Sequence, residues 1–148
     1  MMRLETVSPM LAEKIQTANS DQRRAASLLA CQLVIKITHI EDRNVLEALD
    51  LLQKNGNLSP LKRAELDDFS AQLDEEYFEL QNKAEDDPAV TPDYLLFFGQ
   101  ARAVSALSFA GSEDSFLAAM ESIYEASVCV DDNSKIFDAV LRVLATEI

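Results

Sequence analysis

Residues 95–111 read LLFFGQARAVSALSFAG and hold a single charged side chain, Arg102. A second stretch, residues 21–40, reads DQRRAASLLACQLVIKITHI, with Leu28, Leu29, Cys31, Leu33, Val34, Ile35, Ile37 and Ile40 spread over most of a helical circumference. Both runs are too long for strands, and no segment of the chain sustains period-two alternation. A helix without a polar face is expected to be buried. These two stretches therefore predict an all-α protein built around two buried helices.

The flanking segments show one-sided apolar stripes. Leu66, Phe69, Leu73, Tyr77, Leu80 and Ala84 recur at spacings of three and four, as do Phe116, Leu117, Met120, Ile123, Tyr124 and Val128, and then Ile136, Phe137, Val140, Leu141 and Leu144. Ser8-Pro9, Ser59-Pro60 and Thr91-Pro92 each place a capping hydroxyl before a proline suited to the first helical position. Gly56 and Gly111 read as helix stops. The pattern predicts about seven helices, near 9–18, 21–39 (after Ser20), 42–55, 60–84, 92–110, from after Ser112 to 128, and 133–146. Short turns imply antiparallel αα-hairpins, as a bundle or a short solenoid-like array, in one domain spanning 1–148. Arg24-Ala25-Ala26-Ser27 is echoed by Arg102-Ala103-Val104-Ser105, at the head of two comparable hairpins.

The 148 residues are 48% hydrophobic, and 26 acids against 13 bases give a net charge of −13. Apolar content at that level excludes a disordered chain, and the acidic balance argues against direct nucleic-acid binding, which needs a basic footprint. No apolar run approaches the roughly 18 residues of a membrane span. The N-terminal MMRLETVSPMLAEKIQ lacks an apolar signal core and carries Glu5 and Glu13, so a cytoplasmic location is expected. Cys31 and Cys129 each sit in an apolar helical pattern and read as free buried thiols.

Residues 65–93 hold eleven acids and one base, Lys83, so most of the net charge lies in a fifth of the chain. Asp67, Asp68, Asp74, Glu75 and Glu79 lie off the apolar stripe and are expected to face outward, with Glu76, Glu85, Asp86 and Asp87 beside them. Asp114, Glu121 and Glu125 share one face of a later helix. Such a field steers a basic partner; the plainer alternative is a solvated face that aids solubility. Arg102, alone in its helix, predicts an ion pair with an acid of a neighbouring helix, or exposure at one edge. His39, the one histidine, reads as exposed at a helix end.

Motifs for chemistry are sparse. Glu75-Glu76-Tyr77-Phe78-Glu79 contains Glu-x-x-Glu and resembles half of the magnesium site of all-α nucleotide pyrophosphohydrolases, but no second pair follows downstream. One histidine cannot build a di-iron carboxylate bundle. Glycine-rich phosphate loops, zinc spacings and nucleophile elbows are absent. Neither catalytic residues nor a metal or cofactor is expected.

The buried helices RRAASLLACQLVIKI and GQARAVSALSFAG are each followed by an amphipathic one, NVLEALDLLQKNG and DSFLAAMESIYEAS, with an acid-rich helix between. In this layout the chain resembles the all-helical immunity proteins of bacterial polymorphic-toxin and interbacterial-competition systems. The resemblance implies a non-enzymatic inhibitor, monomeric or weakly dimeric, that neutralises a cognate basic toxin domain through its acidic surface. An acidic secretion chaperone or adaptor is the alternative, and a magnesium-dependent pyrophosphohydrolase a further one.

Overall fold

A computed structural model describes residues 2–87 and 94–146. Among these, the chain forms eight α-helices and no strand: α1 (Arg3–Val7), α2 (Pro9–Thr17), α3 (Ser20–Ile37), α4 (Arg43–Asn55), α5 (Pro60–Asp86), α6 (Tyr94–Ala110), α7 (Ser115–Ser127) and α8 (Ser134–Ala145). The eighth element is α1, whose five residues are too few to show a period; Leu4 anchors it, fully buried.

Local chemistry sets most boundaries. Ser8 and Ser59 accept hydrogen bonds from the Leu11 and Lys62 amides, with Pro9 and Pro60 at the first helical positions. The Thr91-Pro92 start lies outside the described residues. Two starts differ from expectation. Asn19, not Ser20, caps α3, in a reciprocal pair with Gln22. Asp114, not Ser112, caps α7 by accepting from the Phe116 and Leu117 amides. Gly56 ends α4 in the left-handed region, φ +81°. Gly111 directly follows α6, which ends at Ala110, as expected; a Cβ there would also lie 2.7 Å from Leu58 Cβ, so glycine permits the close approach of the α4–α5 connection.

The end of α3 places His39 at φ +57°. The His39 amide donates to Lys36 O and the Ile40 amide to Ile35 O, and Ile35 and Ile40 are both buried. This is a Schellman closure, with a histidine where glycine is usual. His39 itself is exposed. His39→Gly removes the left-handed strain and is expected to raise stability by about 1 kcal/mol, a rise of roughly 2–4 °C in Tm for a chain of this size. Thermal denaturation of the variant reads it directly.

The core centres on α6, which packs against α3, α4, α5 and α7. From Gly99 onward its buried residues are Gly99, Ala101, Ala103, Val104, Ala106, Leu107, Ser108 and Ala110. Small side chains let neighbouring backbones approach on every side. The other expected centre, α3, is covered on one side: Ala26, Ala30, Cys31, Val34 and Ile35 are buried, whereas Leu28, Leu29 and Leu33 are half-buried and Ile37 is 43% exposed. The expected outer helix α7 takes the inner place instead, touching α1, α2, α3, α6 and α8. Alanines and serines line its sides, so several neighbours fit around it: Ala118, Ala119, Ser122, Ala126 and Ser127 are buried with Met120 and Ile123. The α6–α7 hairpin is therefore tight, whereas α4 sits at the edge of the bundle.

Three consecutive residues of α3 tie other helix ends to this core. The Gln22 amide nitrogen donates to Leu144 O and Thr146 O at the end of α8. Arg23 donates to Ile15 O and Gln16 O at the end of α2. Arg24 donates to Ala110 O, Ser112 O and Glu113 O in the α6–α7 turn. Helix ends leave carbonyls without partners, and a donor there, best a cationic one, satisfies them.

Candidate interaction surface

Helix α5 packs against α6 and, near its start, against α4. Leu66, Ser70 and Leu73 are buried on that side, and the Ser70 hydroxyl donates to Ala101 O at 2.9 Å. Among the described residues, nothing covers the opposite side. Asp68, Glu75, Glu79 and Asp86 follow one another at seven, four and seven residues, which returns them to one face. Their line is about 27 Å long at 1.5 Å per residue. Asp67, Glu76, Glu85 and Asp87 flank it, and all eight are exposed. Among the described residues, no cation lies within 4 Å of Asp67, Asp68, Glu75, Glu76, Glu79, Glu85 or Asp86. Glu65, at the head of the helix, is paired through Lys62 Nζ at 3.5 Å.

Asp74 departs from the expected docking set. It is half-buried and accepts from Arg102 Nη2 at 2.6 Å. This is the ion pair expected for a lone arginine in an apolar helix. Arg102 Nη1 also lies 3.6 Å from Glu125 Oε2, and the other Glu125 oxygen accepts from Arg3 Nη2 at 3.1 Å. Arg3 in turn pairs with Glu121 and stacks its guanidinium 4.3 Å from the Tyr124 ring centre. Asp74, Arg102, Glu125, Arg3 and Glu121 thus form one ionic chain linking α5, α6, α7 and α1. Its carboxylates hold the Arg3 guanidinium above its ordinary pKa against the opposing effect of burial. Glu121 and Glu125 are consequently not an exposed acidic face: the Glu125 side chain is 4% exposed.

At the far end of α5, Tyr77 packs against Phe78, Tyr94 and Phe98 at ring-centre distances of 5.1, 5.8 and 5.4 Å. Phe78 remains 58% exposed, and Leu95 and Leu96 are 59% and 46% exposed. The two leucines were expected in the core. Their exposure follows from where the neighbours stop. A Cβ on Gly99 would sit 3.4 Å from Thr38, which caps α3, and 3.5 Å from the carbonyl oxygen of Cys129, just past the end of α7. The first turn of α6 projects beyond both. Periodicity could have flagged Phe78, which lies off the apolar stripe, but nothing local marks Leu95 and Leu96.

Both cysteines are free, Cys31 buried and Cys129 half-buried. Burial pushes the Cys31 thiol far up and the Cys129 thiol up to about 12, so neither is an activated nucleophile at neutral pH. Among the described residues no three His, Cys, Asp or Glu side chains converge to hold a metal ion, and no helix is long and apolar enough to cross a membrane. No protein-family model, curated protein or solved structure matches the chain.

Proposed function

We propose that this protein is a non-enzymatic binder that docks a basic protein partner on the outer face of α5, in the manner of an immunity protein blocking a cognate toxin domain. The observation that carries the reading is the bare acidic line of Asp68, Glu75, Glu79 and Asp86, flanked by Asp67, Glu76 and Glu85, without cation partners among the described residues. Like charges held on one helix cost stability, a few tenths of a kcal/mol for each neighbouring pair, and raise the association rate of a basic ligand. Asp74, Glu121 and Glu125 differ from this line in being held by arginines. Affinity would come from apolar groups beside the acids, of which Phe78 is the most prominent on α5.

The test is capture from the host's own lysate on the immobilised protein, with an E75K/E79K variant as parallel bait. The expected result is one dominant basic partner at 1:1 stoichiometry, retained near 0.1 M salt, shed near 1 M, and missing from the charge-reversed bait. A partner retained equally by both baits would remove α5 as the docking face. Toxicity of that partner when expressed alone, cured by co-expression with this protein, would separate an immunity role from that of a secretion adaptor.

A further inference from the structure

A groove of about 340 Å³ runs between the start of α4 and the first half of α5. The buried side chains Val45 and Leu66 and the half-buried Phe69 form its apolar part. Its charged lining is Asp42, Glu65 and Asp68 against one cation, Lys62. That lysine is already engaged: its side chain is 11% exposed, and Nζ reaches Glu47 at 3.2 Å and Glu65 at 3.5 Å. Asp42 gives one oxygen to the Val45 amide as the cap of α4. Among the described residues, Asp68 has no cation within 4 Å and no cation stands over the Phe69 ring.

A carboxylate without a counter-charge, an unused ring face and an apolar floor in one groove suit an arginine side chain. Its stem packs on Leu66 and Phe69, its guanidinium plane stacks on the ring, and its fork donates to Asp68. A lysine brings the same charge without the plane or the fork. A purely apolar side chain strips water from Asp42 and Asp68 and returns no hydrogen bond. An anionic group meets three acids and a lysine already held by two of them, Glu47 from outside the lining and Glu65 from within it. A bare divalent ion finds no three converging ligands among the described residues.

We propose that this groove receives an arginine side chain of the basic partner, a proposal that rests on the reading of α5 as the docking face. Asp68 joins the two features: it heads the outer acidic line and borders the groove. The line then sets how fast the partner arrives, and the seated arginine sets how long it stays.

Gln72 is exposed, lines the groove and follows Asp68 by one turn. Gln72→Lys places a lysine four residues after Asp68, the favourable order for an ion pair within a helix. It closes the groove from inside and leaves Glu75, Glu79 and Asp86 unchanged. Gln53→Lys makes the same charge change at an exposed position outside the groove, and neither variant should lower Tm. The probe is a blocked glycine pentapeptide with a central arginine, titrated into isotope-labelled protein by NMR beside its lysine and citrulline counterparts. The arginine peptide is expected to give saturable shifts confined to amides 42–46 and 62–72, several-fold tighter than the lysine peptide, with none from citrulline. Q72K should abolish these shifts and Q53K keep them. Equal shifts from citrulline, or shifts retained in Q72K, overturn the groove. So do tighter saturable shifts of the same amides with calcium or magnesium alone, or shifts with protein concentration alone, which assign it to a metal ion or a second copy. With the captured partner, Q72K should raise koff at least about tenfold and leave kon within about twofold. If Q72K leaves koff unchanged while E75K/E79K slows kon, the groove alone falls; if neither variant alters the rates, the docking face falls with it.

Discussion

Glu125→Leu is expected to lower Tm by about 10 °C. The Glu125 side chain is 4% exposed and holds two arginines from different helices, Arg3 at 3.1 Å and Arg102 at 3.6 Å. The contact to Arg102 is too long for a hydrogen bond, and Arg102 Nε has no partner of its own. Removing the carboxylate leaves Arg102, 24% exposed, with Asp74 alone. Breaking a buried ion pair on one side costs 3–5 kcal/mol. Because each arginine keeps a second acid, the loss falls at the lower end, about 3 kcal/mol, and each kcal/mol moves Tm by roughly 2–4 °C at this size. Asp74→Asn, at a side chain 32% exposed, should cost about 1 kcal/mol or less. The double variant R102M/E125L should lose less than the sum of the singles, since the Arg102–Glu125 contact is lost in both singles and is counted once in the double, while Asp74 loses its arginine in both variants that carry R102M. Urea and thermal denaturation of the wild type, E125L, D74N, R102M and R102M/E125L measure this; a Glu125→Leu shift below 2 °C would mean the ionic chain adds no net stability.

Arg24→Met is expected to cost about 2–3 kcal/mol through a different mechanism. One guanidinium donates to Ser112 O at 2.6 Å, to Glu113 O at 2.7 Å and to Ala110 O at 3.3 Å, and so closes the turn between α6 and α7. Burial lowers its pKa from the ordinary arginine value, a sign that the group has given up water for these contacts. Charged hydrogen bonds contribute about 1.5–3 kcal/mol, and those made by one group do not add in full. Methionine keeps the apolar stem and leaves the carbonyls without a donor. Lysine, a point donor rather than a fork, should recover only part of the loss. Faster hydrogen exchange in the 110–118 amides, with the end of α8 unchanged, would place the effect in the turn.

The sequence was most legible where structure is local. The serine–proline starts at Ser8 and Ser59 and the stop at Gly56 depend on a few neighbouring atoms and could be read directly. The all-helical class followed from the long apolar runs of α3 and α6. Partner geometry was not legible, because a stripe names a face and not what covers it. So α3 turned out one-sided, and α7, read as an outer helix, is wrapped by five others. Glu121 and Glu125 looked like an exposed face because their arginines come from α1 and α6, far away in sequence. Asp74 looked like its neighbours on α5 for the same reason. Arg102 was readable, since a lone charge in an apolar helix requires a counter-charge. Leu95 and Leu96 were misplaced because their burial depended on where α3 and α7 end.

Whether the outer acids of α5 are a docking face is read from the association rate constant with the captured partner, measured against ionic strength. A docking face requires a kon that falls steeply as salt rises from about 0.05 to 1 M, where the screening length shrinks to roughly 3 Å. It further predicts a kon at least tenfold lower for E75K/E79K at low salt, with the two curves converging at high salt. A rate that is flat in salt and equal in both proteins would contradict it and leave the acidic line as a solvated face.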